Sequence, residues 1–170
     1  MVWRFDPRSG ELTALTDPTM VPNPNGLAFS PKGDKLYVVN TSPIINGTLP
    51  PKYKRPASIY EFDVVNEGGI ERLANRRLFA WPWTGIGDGI KVDTQGNVYA
   101  GTSDGVQVWS KHGEQILKVF IPETGAVNLV FANEGRLVVT AEEKVYLIQL
   151  DPSVRGPPLW EYPRDANEEK

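Results

Sequence analysis

Two polar residues that each stand directly before a glycine are the first candidates for chemistry in this chain. They are Asn25, in Pro24-Asn25-Gly26, and Asp88, in Asp88-Gly89-Ile90. An amide oxygen and a carboxylate are ligands that a hard divalent cation such as Ca²⁺ accepts. Asn and Asp before Gly are also ordinary turn residues, so the residue types alone leave both interpretations open.

The composition excludes several other kinds of site. The 170 residues include no cysteine and a single histidine, His112. A thiolate zinc site, a cysteine nucleophile and a metal site with several histidines are therefore excluded, and any metal ligands must be oxygen atoms. His112 lies in the turn pattern Ser110-Lys111-His112-Gly113-Glu114, which predicts an exposed residue without a catalytic role.

Three segments of the chain share one template, and they position the two candidates. Residues 24–33, 87–96 and 126–135 each contain a small or polar entry, a short alternating apolar run, a turn and a glycine. Another alternating run follows each glycine, so each segment predicts a β-hairpin whose turn residue adopts a positive φ. The three turn glycines are Gly33, Gly96 and Gly135.

Further runs of period two follow each hairpin and predict four-stranded antiparallel units in series, which are the blades of a β-propeller. The sequence thus predicts an all-β fold of about three to three and a half blades. We expect a C-terminal tail at 151–170 that adds no strand and is disordered over 165–170. The predicted blades are the outer strands of one blade at 1–16, a blade at 24–80 with a loop insert at 41–56, a blade at 88–124 and a blade at 126–150.

In a propeller, the residues that enter the innermost strands of successive blades converge on the mouth of the central channel. Asn25 and Asp88 hold this position in two repeats, whereas the third has Val127, which cannot bind a metal. The neighbouring Asn128 either satisfies main-chain groups at the blade entry or lines the pocket. Trp81 and Trp83, shortly before Asp88, either form a wall of the pocket or pack between blades.

The charge balance bears on the expected partners. Eighteen Lys and Arg against 21 Asp and Glu give a net charge of −3, which does not favour binding to nucleic acid or to an anionic membrane surface. No run approaches the roughly 20 apolar residues that span a bilayer. The start of the chain shows no leader pattern, so the default expectation is a cytoplasmic protein without nucleic-acid or membrane partners.

Residues 24–38 and 88–99 read PNGLAFSPKGDKLYV and DGIKVDTQGNVY. They resemble the senescence marker protein and gluconolactonase (LRE-like) family, and within it the fungal lactonohydrolases. The resemblance extends over about residues 2–150 and corresponds to the C-terminal part of that family's six-bladed propeller.

The resemblance implies a divalent cation at the top of the channel, with Ca²⁺ expected first and Zn²⁺, Mg²⁺ and Mn²⁺ as alternatives. Asn25 and Asp88 match two of the family's ligands, and Asp88 also matches its general base. The family's acidic ligand from the first blade, and the Arg and Asn that contact substrate, have no counterpart in this sequence.

The function implied by the resemblance is metal-dependent hydrolysis of a small-molecule lactone, a cyclic ester. The alternative is a non-catalytic propeller fragment that acts as a binding or interaction module, since a fold alone does not fix a function. A second chain that covers the open edges of the partial propeller is a further expected partner.

Overall fold

The computed structural model describes residues 1–41, 57–121 and 125–157. Within these ranges the chain forms thirteen β-strands and no helix, so none of them contains a helix suited to crossing a membrane. Most of the predicted insert and the predicted disorder at 165–170 lie outside the described residues. The strands are β1 (Trp3–Phe5), β2 (Leu12–Ala14), β3 (Pro24–Phe29), β4 (Lys35–Asn40), β5 (Ser58–Glu67), β6 (Ile70–Ala80), β7 (Ile90–Val92), β8 (Val98–Thr102), β9 (Gly105–Trp109), β10 (Gln115–Phe120), β11 (Asn128–Phe131), β12 (Arg136–Thr140) and β13 (Val145–Gln149).

The strands form four antiparallel sheets in which the spatial order follows the chain order. The β1–β2 sheet is a pair, the β3–β6 and β7–β10 sheets have four strands each, and the β11–β13 sheet has three among the described residues. This confirms the predicted all-β architecture of antiparallel blades. The predicted positive φ at the hairpin glycines is also present, at 72° for Gly33, 89° for Gly96 and 73° for Gly135.

Successive sheets pack face to face, and β4 shows how its sequence allows this. Side chains of a strand alternate between its two faces. Leu36 and Val38 pack with residues of the β1–β2 side of the molecule, including Val2 and Val21. Tyr37 and Val39 pack instead against the β7–β10 sheet. A strand covered on both faces is buried at nearly every position, as β4, β8 and β9 are.

The chain after β13 turns back instead of adding a strand, as far as Pro157. The main-chain N–H of Thr94, in the β7–β8 turn, donates to the carbonyl of Arg155 at 2.8 Å. Gly156 lies against Phe131 so closely that an added Cβ would be 2.8 Å from the Phe131 Cβ. Residues 151–157 therefore cross the ends of β7 and β11.

One fully buried carboxylate organises the β7–β8 turn. Asp93 is 0% exposed and accepts hydrogen bonds from the main-chain N–H groups of Gln95 (2.9 Å) and Asn97 (2.8 Å). It also accepts from the Asn97 side chain at 2.8 Å and from the Tyr99 hydroxyl at 3.2 Å. These four bonds satisfy a buried charge that would otherwise be costly.

Two buried tyrosines carry raised pKa values. Burial raises the pKa of Tyr99, and the Asp93 carboxylate adds to the effect. Burial likewise raises the pKa of Tyr37, with a further contribution from the charge of Glu61. Both hydroxyls therefore stay protonated in the folded chain at a pH where an unfolded tyrosine, of ordinary pKa about 10, ionises.

This difference predicts a loss of stability in alkali. A group whose pKa is raised by folding adds stability that is complete below its unfolded pKa and is lost as the pH rises towards its folded pKa. The melting midpoint, followed by circular dichroism, should fall from about pH 10 upward. Tyr99→Phe and Tyr37→Phe should each make this fall shallower than in the unchanged chain. A fall in the melting midpoint that is as steep in both variants as in the unchanged chain would contradict the prediction.

Candidate functional site

The first residues of β3, β7 and β11, the inner strands of their sheets, lie together. A Cβ added to Gly26 would collide with the Asp88 carbonyl oxygen and would lie 2.9 Å from the Ile90 nitrogen. One added to Gly89 would lie 2.8 Å from the Cα of Asn128. Glycine at both positions is therefore what lets the three strand entries approach. We call Asn25, Gly26, Asp88, Gly89 and Asn128 the entry site.

Hydrogen bonds to main-chain groups fix the segment 87–89 in the entry site. The N–H of Asp88 donates to the Gly101 carbonyl at 3.0 Å, and the N–H of Gly89 donates to the Val127 carbonyl at 2.8 Å. One residue earlier, the Gly87 carbonyl accepts from the Thr41 hydroxyl at 2.9 Å. The position of the Asp88 backbone is thus set from both neighbouring sheets.

The two candidate ligands at this site have side-chain oxygen atoms without a protein partner among the described residues. Asn25 is exposed and Asp88 is half-buried. Across residues 1–41, 57–121 and 125–157, neither side chain has a hydrogen bond or an ion pair. An amide oxygen and a carboxylate fit a hard cation by donor type, although Ca²⁺ takes six to eight oxygens. In the same described ranges, no three His, Asp or Glu side chains form a cluster that could hold a metal.

Comparison with known proteins identifies the fold and its family. The SMP-30/gluconolactonase/LRE-like region matches residues 1–143 of this chain. The chain belongs to the SMP-30/gluconolactonase/LRE-like family. The resemblance inferred from the Pro-Asn-Gly and Asp-Gly-Ile segments is thereby confirmed.

Two fungal lactonohydrolases and one bacterial gluconolactonase structure are similar to this chain. Lactonohydrolase oryH of Aspergillus oryzae is 32% identical over 145 residues, which are 79% of this chain and 30% of that protein. Lactonohydrolase oryL of the same fungus is 31% identical over 144 residues, 79% of this chain and 32% of that protein. A gluconolactonase from Xanthomonas campestris superposes with a TM-score of 0.67 and 27% identity, covering 91% of this chain and 44% of that one. This family member thus spans less than a third of the length of these two curated relatives.

The structure places the two tryptophans on the segment that leads to Asp88. Trp81 and Trp83 are 54% and 78% exposed, so neither is enclosed between two blades. The main-chain N–H of Trp83 donates to the side-chain oxygen of buried Gln107 at 3.0 Å, which anchors this segment to β9. Their role as a pocket wall remains a prediction.

Asn128 satisfies a main-chain group at the blade entry, which is one of the two roles that the sequence left open, and its role in lining the pocket stays a prediction. Its Oδ1 accepts from the main-chain N–H of Leu129 at 2.8 Å, so it satisfies a donor at the strand entry. The same atom accepts from the Lys91 ammonium at 3.4 Å. His112 is exposed in its turn, as predicted, and its main-chain N–H donates to the Ser110 hydroxyl at 3.3 Å.

A groove of about 750 Å³ runs along the inner strands of this family member, beyond the entry site. Its walls are formed by the later residues of β3, β7 and β11 and by residues 155–157. Sequence reasoning missed Lys91, which lines it. A signal was present, because Lys91 is the one charged residue in these three strands, where the aligned residues are Ala28 and Val130.

Proposed function

We propose that this chain carries metal-ligating and proton-accepting residues of a lactone hydrolase that depends on a divalent cation. The observation that supports the proposal is the convergence of Asn25 and Asp88, with uncommitted side chains, at the entries of adjacent inner strands. The family supports the reaction class, because the curated relatives above are named lactonohydrolases.

Asp88 is the proposed general base. Its carboxylate accepts a proton from water as the water oxygen attacks the carbonyl carbon of the lactone. The ring C–O bond then breaks, and the proton passes to the departing alkoxide, which leaves a hydroxy acid. The main-chain bonds to Gly101 and Val127 fix the Asp88 segment, so little reorganisation is needed when the proton moves.

Asn25 and Asp88 are also the proposed metal ligands, through their amide and carboxylate oxygens. When bound, a divalent cation polarises the lactone carbonyl and stabilises the negative charge that develops on its oxygen. Ca²⁺ is the first choice because both donors are hard oxygens, and Mg²⁺, Mn²⁺ and Zn²⁺ are the alternatives to compare.

A non-catalytic binding module is the second candidate function. It is favoured by the small donor set, which supplies two of the six to eight oxygens that Ca²⁺ takes. It is also favoured by the span of the chain, which is 30% of the length of lactonohydrolase oryH. In this alternative the propeller faces bind a partner, and a second chain covering them is one such partner.

The two candidates are separated by two measurements on the full 170-residue chain. Acid release from glucono-1,5-lactone and from dihydrocoumarin is followed by pH-stat in millimolar Ca²⁺ and in EDTA, and thermal melts are recorded in parallel. We expect Ca²⁺-dependent acid release and a raised midpoint, because a ligand that binds only the folded state stabilises it. A Ca²⁺-dependent midpoint without acid release would favour the binding module. A midpoint indifferent to every cation tested would contradict the metal site.

A further inference from the structure

The ammonium of Lys91 is a partly buried positive charge whose neighbours are neutral. Its Nζ donates to the Ile90 carbonyl at 3.1 Å and to the Asn128 Oδ1 at 3.4 Å. In the part of the chain that the structure describes, it forms no ion pair. Burial lowers the pKa of Lys91, with no acidic neighbour to offset the effect. A desolvated cation without a counter-ion is costly, and an anionic ligand would remove that cost.

The groove beside Lys91 exposes apolar side chains to water. Leu27, Phe29 and Val130 line it and are 49%, 38% and 51% exposed. Small-molecule sites are typically concave and mostly apolar, with a few polar groups that orient the ligand. Glu134 and Arg155 also line the groove and are both exposed, so their charges are better hydrated than that of Lys91.

We propose that this groove binds an amphipathic carboxylate, in which the carboxylate contacts Lys91 and an alkyl or aryl body lies against Leu27, Phe29 and Val130. This binding mode rests on the proposed function and assigns its substrate class, because hydrolysis of a lactone creates a carboxylate. The favoured lactones carry an alkyl or aryl substituent. A polyhydroxylated sugar lactone would leave its hydroxyl groups without partners along this wall.

The test compares three probes by isothermal titration calorimetry on the full chain. Octanoate has both the charge and the apolar body, octan-1-ol has only the body, and gluconate has only the charge with hydroxyl groups. We expect octanoate to bind at least about tenfold more tightly than octan-1-ol, since a charge-assisted hydrogen bond contributes about 1.5–3 kcal/mol. Gluconate should also bind more weakly than octanoate, because its hydroxyl groups would lie without partners against the apolar wall. Equal binding of octanoate and octan-1-ol, or tighter binding of gluconate, would overturn the proposal.

Variants assign the effect to the ammonium. Lys91→Met keeps the aliphatic stem and should weaken octanoate binding about tenfold or more, whereas Lys91→Arg should retain it. Lys32→Met is the matched control, because Lys32 is exposed in a hairpin turn and should leave binding unchanged. A thermal melt of each variant shows whether it is folded. Unchanged octanoate binding in folded Lys91→Met would overturn the proposal.

Two other occupants of the groove are outcomes of the same experiments. If Trp160→Ala raised octanoate affinity about tenfold, the following residues 158–170 would be the natural occupant. If sedimentation showed a dimer that octanoate dissociates, a second copy of this chain would be the natural occupant of the groove. Either result would overturn the proposal. Octanoate binding without lactone hydrolysis would leave the carboxylate-binding groove standing and would contradict the proposed function and the substrate class. Gluconolactone hydrolysis without octanoate binding would support the proposed function and overturn the groove.

Discussion

Asp88→Asn is expected to lower the turnover of lactone hydrolysis by about 10²–10⁴-fold, the usual contribution of a general base. The substitution keeps the size of the side chain and one oxygen ligand, and the main-chain bonds of Asp88 to Gly101 and of Gly89 to Val127 do not depend on the carboxylate. The fold should therefore survive, and the loss should appear in kcat. Acid release measured by pH-stat in saturating Ca²⁺, with a thermal melt of the same sample, checks both points.

The concentration of Ca²⁺ separates the two roles proposed for Asp88. If the carboxylate acts only as a ligand, raising Ca²⁺ should restore the rate of Asp88→Asn, because weaker binding is overcome by mass action. If it is also the base, a large loss should persist at saturation. Asp34→Asn makes the same change of charge in an exposed turn and should behave as the unchanged chain. Full turnover by Asp88→Asn would exclude Asp88 as the base.

Asp93→Ala is expected to destabilise the fold by about 3–5 kcal/mol, the range reached when a buried hydrogen-bond network is broken. The substitution removes the acceptor of four hydrogen bonds and leaves the Tyr99 hydroxyl and two main-chain donors without their partner. Because Asp93 is fully buried, water cannot readily replace the carboxylate. Urea unfolding followed by circular dichroism measures the change as a shift of midpoint at unchanged slope.

The chain contains a matched control for Asp93. Ser30 lies three residues before Gly33, as Asp93 lies three before Gly96, and its hydroxyl accepts from the Lys35 N–H at 3.1 Å. Ser30 is half-buried, so Ser30→Ala should cost only about 0.5–1.5 kcal/mol. Equal losses in the two variants would show that burial of the Asp93 network adds nothing to its contribution.

The fold was largely predictable from sequence because its signals are local. Alternating runs, turn glycines and a threefold repeat specify strands and hairpins without knowledge of distant residues, and Gly33, Gly96 and Gly135 have the positive φ predicted for them. The path of residues 151–157 was not predictable in the same way. It depends on single long-range contacts, such as Thr94 to Arg155 and Phe131 to Gly156, which leave no periodicity.

The candidate site was predictable in position but not in detail. Repeat alignment correctly brought the entries of the inner strands together, since Gly26 and Gly89 occupy one template position. Asn128 holds that same position in the third repeat, and only the structure shows that its side chain bridges Leu129 and Lys91. The groove follows from the relative placement of three sheets, which no single segment specifies.

The agreement between chain order and strand order has a consequence for how the molecule opens. Every sheet is built from strands that follow one another along the chain, so each unit depends mainly on its two neighbours, as in repeat proteins. Among the described residues, the β3–β6 and β7–β10 sheets are packed on both faces, whereas the β1–β2 and β11–β13 sheets are each packed on one. Amide hydrogen exchange should therefore be slowest in β4, β8 and β9 and faster towards both outer sheets, so unfolding begins at the two flanks and reaches the Asp88 segment late.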